Sequence, residues 1–213
     1  MPTSGLCGLI LAAGQSSRMG QDKALLPWPK IETTSTAAPH STLLSSSIRA
    51  LSNPCDLVLV VAGANAGKLR PIVYACGADV VVNPAPEQGQ FSSLQVGLQE
   101  VLNRGRDSAM ITLVDRPPLQ PATLAALVAA FLKRAHATWA VVPEYQGHHG
   151  HPILIGREMI EALLRAPVTS SAREVEHAHQ QHIAYVETSD ALLTANLDTP
   201  EAYASVQSSQ SAR

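Results

Sequence analysis

LCGLILAAG, at residues 6–14, is an unbroken apolar run that ends in a glycine. An apolar segment this short, stopped by small residues, predicts a buried β-strand that leads into a turn. Similar runs predict strands at 56–62, 79–82, 109–114 and 138–142, with shorter ones at 153–155 and 183–186. Because these runs are continuously apolar, we expect both faces of the sheet to be covered.

Amphipathic patterns of helical period separate the predicted strands. Apolar residues recur at this spacing in 44–51 and 94–102, and most clearly in 124–132. Buried strands that alternate with helices predict an α/β fold, a three-layer α/β/α arrangement around a mostly parallel sheet. Ligands of such folds bind beyond the carboxyl ends of the strands, where we look for functional residues.

Composition excludes several classes of function. The chain has 213 residues, of which 46% are hydrophobic and 15% charged, which is enough apolar material for a sizeable core. Aromatic residues are only 4%, which argues against a base-stacking platform. A net charge of −2 provides no basic field for nucleic acid or an anionic membrane surface.

The organisation of the chain predicts one domain over residues 1–206 and a flexible polar tail over 207–213. Residues after about 145 are expected to form a portion that covers the substrate. The cysteines Cys7, Cys55 and Cys76 have no disulfide or metal-site spacing, so buried free thiols in a reducing compartment are expected. With no signal peptide and no membrane span in the sequence, we expect a cytoplasmic protein.

The turn after the first strand has the composition of an anion site. Ala13 and Gly14 let the backbone approach a ligand, while Ser16, Arg18 and Lys23 add donors and positive charge. This favours a polyphosphate, although the spacing is neither a P-loop nor a dinucleotide fingerprint. The alternative is an ordinary turn with a surface arginine and lysine.

The motifs along the chain resemble those of the MobA-like nucleotidyltransferases. The first motif is LAAGxSxRMGxxK at 11–23, followed by LLPW at 25–28. Further motifs, in the same order as in the family, are NP at 83–84, GQFSSL at 89–94, DRP at 115–117, GHP at 150–152 and NLDTPE at 196–201. Ala12-Ala13-Gly14 and Trp28 look more like the molybdenum cofactor cytidylyltransferase branch than the guanylyltransferases.

This resemblance implies a fold of the nucleotide-diphospho-sugar transferase type, with a Rossmann-like sheet, and a set of site residues. Arg18, Lys23 and Asp115 would carry catalysis, His151 would face the acceptor, and Asp115 with Asp198 would hold Mg²⁺, or Mn²⁺ in its place. The implied nucleotide-binding residues are Leu11, Ala12, Ala13, Gly14, Ser16, Arg18, Lys23, Asn83, Ser92 and Ser93.

Two carboxylates can also be interpreted without the family. Asp115 follows a predicted strand, where one or two carboxylates suit Mg²⁺, and the next helix is predicted to begin only near Pro121. Asp198 precedes a short predicted helix, so either it or Thr199 could instead cap that helix. Asn196 stands where the family has a first aspartate, which leaves Asp198 as the carboxylate of that motif.

Serines and histidines leave alternatives open. Ser92 or Ser93 could cap the following helix rather than contact nucleotide. His148, His149 and His151 lack the spacing of a zinc site, and His177, His179 and His182 do not share a helix face, so a solvated surface is expected there.

The resulting hypothesis is transfer of CMP from CTP to a molybdopterin-type phosphate, with release of pyrophosphate. The alternatives are another small phosphorylated acceptor (a sugar or alditol phosphate), GTP in place of CTP, and a non-catalytic protein that binds and delivers the cofactor. A molybdoenzyme or its chaperone is a further candidate partner, whereas nucleic acid and membrane are not expected.

Overall fold

The computed structural model describes residues 3–14, 20–28 and 41–211. Its eight strands are β1 (Thr3–Leu11), β2 (Cys55–Ala62), β3 (Asp79–Val82), β4 (Ser108–Leu113), β5 (Ala140–Tyr145), β6 (His148–His149), β7 (Ile153–Gly156) and β8 (Ile183–Glu187). They form one sheet in the order β3-β2-β1-β4-β7-β5-β6, with β8 also paired to β5.

The sheet has two halves with different topology. Strands β3, β2, β1 and β4 are all parallel to their neighbours. Strand β7 is antiparallel to both β4 and β5, and β6 is antiparallel to β5. Strand β8 is parallel to β5. The parallel half therefore brings the ends of β1 and β4 to the same edge, where Leu11 pairs with Leu113.

Helices cover both faces of the sheet. They are α1 (Leu43–Ser52), α2 (Ala66–Ala75), α3 (Gln90–Asn103), α4 (Pro121–Leu132), α5 (Arg157–Arg165), α6 (Ala172–Ala178) and α7 (Pro200–Ser211). Helices α1, α2 and α4 pack in one hydrophobic cluster, whereas α3, α5 and α6 pack in the other. This confirms the three-layer α/β/α prediction.

Strand β1 shows why the opening apolar run is continuous. Leu6 and Ile10 belong to the cluster with α1, α2 and α4, whereas Leu9 and Leu11 belong to the cluster with α3, α5 and α6. Alternate side chains of a strand point to opposite faces, so burial on both faces requires apolar residues at successive positions. At Gly8, a Cβ atom would lie 3.1 Å from the Cβ of Leu51, so glycine lets α1 approach the sheet closely.

All seven predicted strands are present, and their ends differ by a few residues. The strand at 79–82 has its predicted bounds, whereas the one predicted at 138–142 spans Ala140–Tyr145. Strand β6 was not predicted because it has only two residues, both exposed. Lys68 and Arg70, which the sequence predicts on a solvated helix face, are both exposed on α2, and Pro71 lies within that helix.

The tail predicted at 207–213 begins within a helix. Helix α7 continues through residue 206 as far as Ser211, so 207–211 are helical. Gln207 is buried, and its Nε2 donates to the carbonyl oxygen of Pro27 at 3.2 Å, a tertiary contact that the polar composition does not reveal. The stretch 27–41, whose proline, serine and threonine content predicts an exposed loop, lies mostly outside the described residues. Within the described residues, no helix is long and apolar enough to span a membrane.

Candidate active site

The first cavity lies at the carboxyl ends of β1 and β4 and has a volume of about 280 Å³. The two strands are held together beyond their ends, because Val114 N donates to the carbonyl oxygen of Leu11 at 3.0 Å. The cavity is lined by Leu11, Ala13, Gly14, Lys23, Pro86, Gly89, Gln90, Ser93, Leu113, Val114 and Asp115. The parallel topology thus brings Lys23 and Asp115, which are 92 positions apart in the sequence, to one site.

Lys23 is placed by a short 3-10 helix, Lys23–Leu25, which Asp22 caps by accepting from Ala24 N at 3.1 Å. Asn65, just after β2, holds this segment in position. Its Nδ2 donates to Asp22 Oδ2 at 2.8 Å and to the carbonyl oxygen of Ala12 at 3.0 Å. As a result, the backbone is anchored on both sides of 15–19, and Lys23 is only 8% exposed.

Lys23 joins two carboxylates from distant parts of the chain. Its Nζ lies 3.3 Å from Asp115 Oδ2 and also donates to Asp198 Oδ1. About a quarter of each aspartate side chain is exposed, so the group faces solvent on one side. A single ammonium group thus offsets the charge of two carboxylates that would otherwise repel each other.

The segment before α7 is bound directly to the turn after β4. Leu197 N donates to the carbonyl oxygen of Asp115 at 3.0 Å, and Arg116 Nη1 donates to that of Ala195 at 3.0 Å. Asn196 Nδ2 donates to Asp198 Oδ2 at 2.8 Å. The backbone N–H of Ala202 donates to Thr199 Oγ1 at 3.3 Å, so Thr199 caps α7 and Asp198 is directed to Lys23.

The donor set around Asp115 fits a hard divalent cation. Among the described residues, Asp115 Oδ1 is buried with no hydrogen-bond partner, and so is Asn196 Oδ1. Buried acceptors are normally paired, and carboxylate oxygens are the ligands that Mg²⁺ prefers. Asp115 and Asp198 would therefore supply the oxygens, with Asn196 close by. The predicted helix start is confirmed as well, because α4 begins at Pro121 and Asp115 is not its cap.

Asn83, Ser92 and Ser93 form a buried hydrogen-bond network beside the first cavity. Asn83 Nδ2 lies 2.9 Å from both serine Oγ atoms, and Asn83 Oδ1 accepts from Ala85 N at 2.9 Å. Ser93 lines the cavity, whereas Asn83 and Ser92 are 2% and 5% exposed. The cap of α3 is Gly89 rather than a serine, with φ at 99°. The network therefore holds the segment 83–89 against the first turn of α3.

A second cavity of about 440 Å³ adjoins the first and shares Leu11, Gln90 and Leu113 with it. Aliphatic side chains of β4, β5 and β7 form much of its lining. Its ionisable and polar side chains are Gln90, Arg116, His149, His151, Arg173, Glu176, His177, Gln180 and Tyr185. Residues after 145 therefore supply most of its polar side, where the sequence predicted the portion that covers the substrate.

His151 lines this second cavity and is uncharged at neutral pH. Burial, together with the Arg116 guanidinium, lowers the pKa of His151 to about 4. Gly150 before it has no room for a side chain, since a Cβ there would lie 2.3 Å from the carbonyl oxygen of Leu193. His149 is different: its ring stacks on Tyr185, and its Nε2 lies 3.2 Å from Glu144 Oε2.

The predicted site residues fall into three groups. Leu11, Ala13, Gly14, Lys23, Ser93 and Asp115 meet at the first cavity, Asp198 reaches it through Lys23, and His151 lines the second cavity. Ala12, Asn83 and Ser92 are buried behind the first cavity. Ser16 and Arg18 lie outside the described residues.

Sequence reasoning missed Asn65 and Glu176 and gave no role to Arg116. The position of Arg116 directly after Asp115 was the signal that could have revealed it. Trp28, by contrast, is 3% exposed and packs against Leu43, Leu197 and Tyr203 on α7, so it does not line either cavity.

The MobA-like NTP transferase domain matches residues 8–184 of the chain. The chain belongs to this nucleotidyltransferase family. Lys23 and Asp115 at the first cavity lie within the matched region, and so do Arg116, His151 and Glu176 at the second.

Curated relatives differ in the reactions that their names give. The molybdenum cofactor cytidylyltransferase of Escherichia coli (strain K12) is 26% identical over 195 residues, covering 91% of each chain. The molybdenum cofactor guanylyltransferase of Xanthomonas euvesicatoria pv. vesicatoria (strain 85-10) is 32% identical and covers 91% of this chain and 90% of its own. The purine catabolism protein PucB of Bacillus subtilis (strain 168) is 30% identical, covering 97% of this chain and 98% of its own.

Solved structures share the fold. Rv0371c from Mycobacterium tuberculosis H37Rv has a TM-score of 0.77 and 25% identity, covering 96% of this chain and 99% of its own. A structure of Rv0371C in complex with manganese has a TM-score of 0.70 and 22% identity, covering 97% of this chain and 100% of its own. These matches confirm the predicted fold type.

Proposed function

We propose that this nucleotidyltransferase transfers CMP from CTP to the phosphate of a molybdopterin-type acceptor and releases pyrophosphate. The observation that carries the proposal is the Lys23 ammonium held between Asp115 and Asp198 at the mouth of a cavity lined by Ala13 and Gly14. Small residues allow close backbone approach, and the charged groups match a triphosphate with a divalent cation.

In the proposed reaction, an acceptor phosphate oxygen attacks the α-phosphorus of the nucleotide and pyrophosphate leaves. The attacking phosphate is already ionised, so no general base is needed. The protein lowers the barrier by positioning the two substrates and by offsetting negative charge. Lys23 would neutralise charge on the phosphates, and Arg18 is proposed to assist it.

Asp115 and Asp198 would hold the divalent cation, Mg²⁺ or Mn²⁺. When bound, such an ion neutralises phosphate charge and orients the phosphate oxygens for in-line displacement. Among the described residues, the buried unpaired Oδ1 of Asp115 supports this assignment. Ser93, which lines the first cavity, is proposed as a nucleotide contact, and Asn83 and Ser92 as residues that hold the nucleotide-binding loop.

GTP is the second candidate nucleotide. It is favoured by the 32% identity with the Xanthomonas guanylyltransferase, against 26% with the Escherichia coli cytidylyltransferase. The residues behind the cytidylyltransferase resemblance bear on base choice only indirectly, because Ala12 and Trp28 are both buried. The PucB relative is named for purine catabolism and not for the molybdenum cofactor, so an acceptor other than molybdopterin remains an alternative.

A delivery role without catalysis is less well supported. A carrier that only binds the acceptor has no need for a lysine and two carboxylates at the neighbouring cavity. We propose delivery to a molybdoenzyme as a step that follows synthesis.

The three cysteines are free, which supports a reducing compartment such as the cytoplasm.

The test is an incubation of the protein with Mg²⁺, molybdopterin cofactor and each of CTP, GTP, ATP and UTP in turn, with pyrophosphate as the readout. We expect pyrophosphate with CTP and a product whose mass is that of the cytidine dinucleotide. Release with GTP alone would replace the cytidylyl proposal by a guanylyl one. No pyrophosphate with any nucleotide, from a protein that binds the acceptor, would favour the carrier.

A further inference from the structure

The second cavity contains three charged side chains without ion-pair partners among the described residues, and two of them, Arg116 and Glu176, are half-buried. Arg116 follows β4 and Glu176 lies on α6, and both line the cavity. Neither takes part in a salt bridge, in contrast to Arg157 and Glu161 on α5. A half-buried charge that the protein leaves unpaired is costly unless a ligand or water meets it.

Arg116 presents a fixed positive charge next to the carboxylate that would hold the cation. Its Nη1 is bound to the carbonyl oxygen of Ala195 at 3.0 Å, which fixes the guanidinium, while its Nε is buried with no partner. His151 nearby is neutral and so supplies no counter-charge. The planar fork of arginine suits the oxygens of a phosphate.

Glu176 presents the opposite charge on another element of the same cavity. It is half-buried, and that burial raises the pKa of its carboxyl group. Arg173 and His177 flank it on α6, and both of them are exposed. A carboxylate in a cavity with an aliphatic lining accepts hydrogen bonds best from two adjacent N–H groups, which match its two oxygens.

We propose that Arg116 and Glu176 select the acceptor, with Arg116 binding its phosphate and Glu176 accepting from two adjacent N–H groups on its ring. This inference rests on the proposed function, because it takes the second cavity as the acceptor side. The acceptor class is a phosphorylated heterocycle with a 2-amino-4-oxo pyrimidine edge. A sugar or alditol phosphate lacks that edge and offers Glu176 only hydroxyl donors.

The Glu176 contact is tested by fluorescence titration with pterin and with lumazine, which has an oxygen in place of the 2-amino group. We expect pterin to bind the protein roughly 10- to 100-fold more tightly than lumazine, because a charged hydrogen-bond pair is lost. Glu176→Gln should abolish that preference. Glu187→Gln is the matched control, since Glu187 is exposed on β8 and lies outside the cavity.

The Arg116 contact is tested with inorganic phosphate, followed by NMR through the ring protons of His151, assigned with a His151→Gln variant. A saturable shift is expected in the wild-type protein and in the exposed control Arg70→Gln. Arg116→Gln should weaken phosphate binding about tenfold or more, and Arg116→Lys should retain part of it.

Equal affinity of the protein for pterin and lumazine would overturn the role of Glu176. An unchanged phosphate titration of the His151 signals in Arg116→Gln would overturn the role of Arg116. Both titrations are done without nucleotide and without turnover. The absence of pyrophosphate release in the nucleotide incubations would overturn the proposed function without changing the result of either titration. Likewise, a negative titration would overturn the role of Arg116 or Glu176 without changing the result of the nucleotide incubations.

Discussion

The two cavities lie side by side but balance their charges in opposite ways. At the first cavity, Lys23 pairs with both Asp115 and Asp198. At the second, Arg116 and Glu176 have no ion-pair partner among the described residues. At the first cavity, ion pairs within the protein offset the charges when no ligand is bound. At the second cavity, the charges of Arg116 and Glu176 are available to pair with a ligand. We infer from this difference that the first cavity binds the phosphates of the nucleotide, whereas the second cavity selects the acceptor.

The largest expected effect comes from Asp115→Ala. Loss of the carboxylate at the first cavity should lower kcat/KM about 10³-fold, since it removes the main proposed cation ligand. Stability should change little, because Lys23 keeps its contact with Asp198. Steady-state pyrophosphate release and a thermal melt measure the two effects.

Asp107→Ala is the matched control for that change. Asp107 precedes β4 at the opposite end of the same strand, and 70% of its side chain is exposed. Its removal should leave kcat/KM within about twofold of the wild type. Retained turnover in Asp115→Ala would show that the internal pairing at the first cavity is structural only.

Lys23→Met is expected to have the next largest effect. It should lower turnover about 100-fold and destabilise the ligand-free protein, because two neighbouring carboxylates are left without their cation. Added Mg²⁺ should then raise Tm more in Lys23→Met than in the wild type, since it replaces the missing charge. Lys68→Met, at an exposed position of α2, is the control. If Mg²⁺ raised the Tm of Lys23→Met and of the wild type equally, the cation would not bind at the position of the Lys23 ammonium group.

His151 at the second cavity should make the protein less stable in acid. Its pKa is lowered to about 4 in the folded protein, against 6.5 for the unperturbed group. The unfolded state therefore takes up the proton first, and stability is lost as pH falls from about 6.5 towards 4. Between pH 7.5 and 5 this one group should cost about 2 kcal/mol of unfolding free energy.

Urea unfolding at several pH values measures this dependence. His151→Gln should flatten the acid side of the profile, whereas His136→Gln, at an exposed position, should leave it as in the wild type. A profile that is unchanged in His151→Gln would mean that His151 is solvated and charged, and that the second cavity is less closed than the structure has it.

The smallest expected effect is that of Asn196→Asp. The amide donates to Asp198 Oδ2 at 2.8 Å, and a second carboxylate there would add an anionic oxygen for a cation. Mg²⁺ affinity should rise about threefold. Asn103→Asp on the exposed side of α3 is the control, and isothermal titration gives the affinities. Weaker Mg²⁺ binding would place Asn196 as a positioning residue for Asp198 alone.

The parallel half of the sheet was predictable in detail because β1, β2 and β4 are buried on both faces, and the partly buried β3 is also a run of valines. Continuous apolar runs therefore mark β1, β2, β3 and β4, and their ends mark Leu11 and Asp115. The other half was less accessible: β6 has two exposed residues, and Glu176 lies in a short polar helix whose burial depends on packing against α5.

The prediction for Asn83, Ser92 and Ser93 illustrates the limit of a motif. Their order along the chain identified the loop, but a motif does not say which side chain faces a ligand. In the structure, Asn83 and Ser92 bond to each other and to the backbone of the loop. Only Ser93 of the three lines the first cavity.

The sequence by itself determined the layered fold, the nucleotidyltransferase family and the turn that leads to Lys23, because periodicity and local motifs are short-range properties. Tertiary structure alone decided that Lys23 meets Asp115 and Asp198, and that Arg116 and Glu176 share a cavity. Those contacts join residues up to 175 positions apart. They depend on strand order and helix packing, which no local pattern encodes.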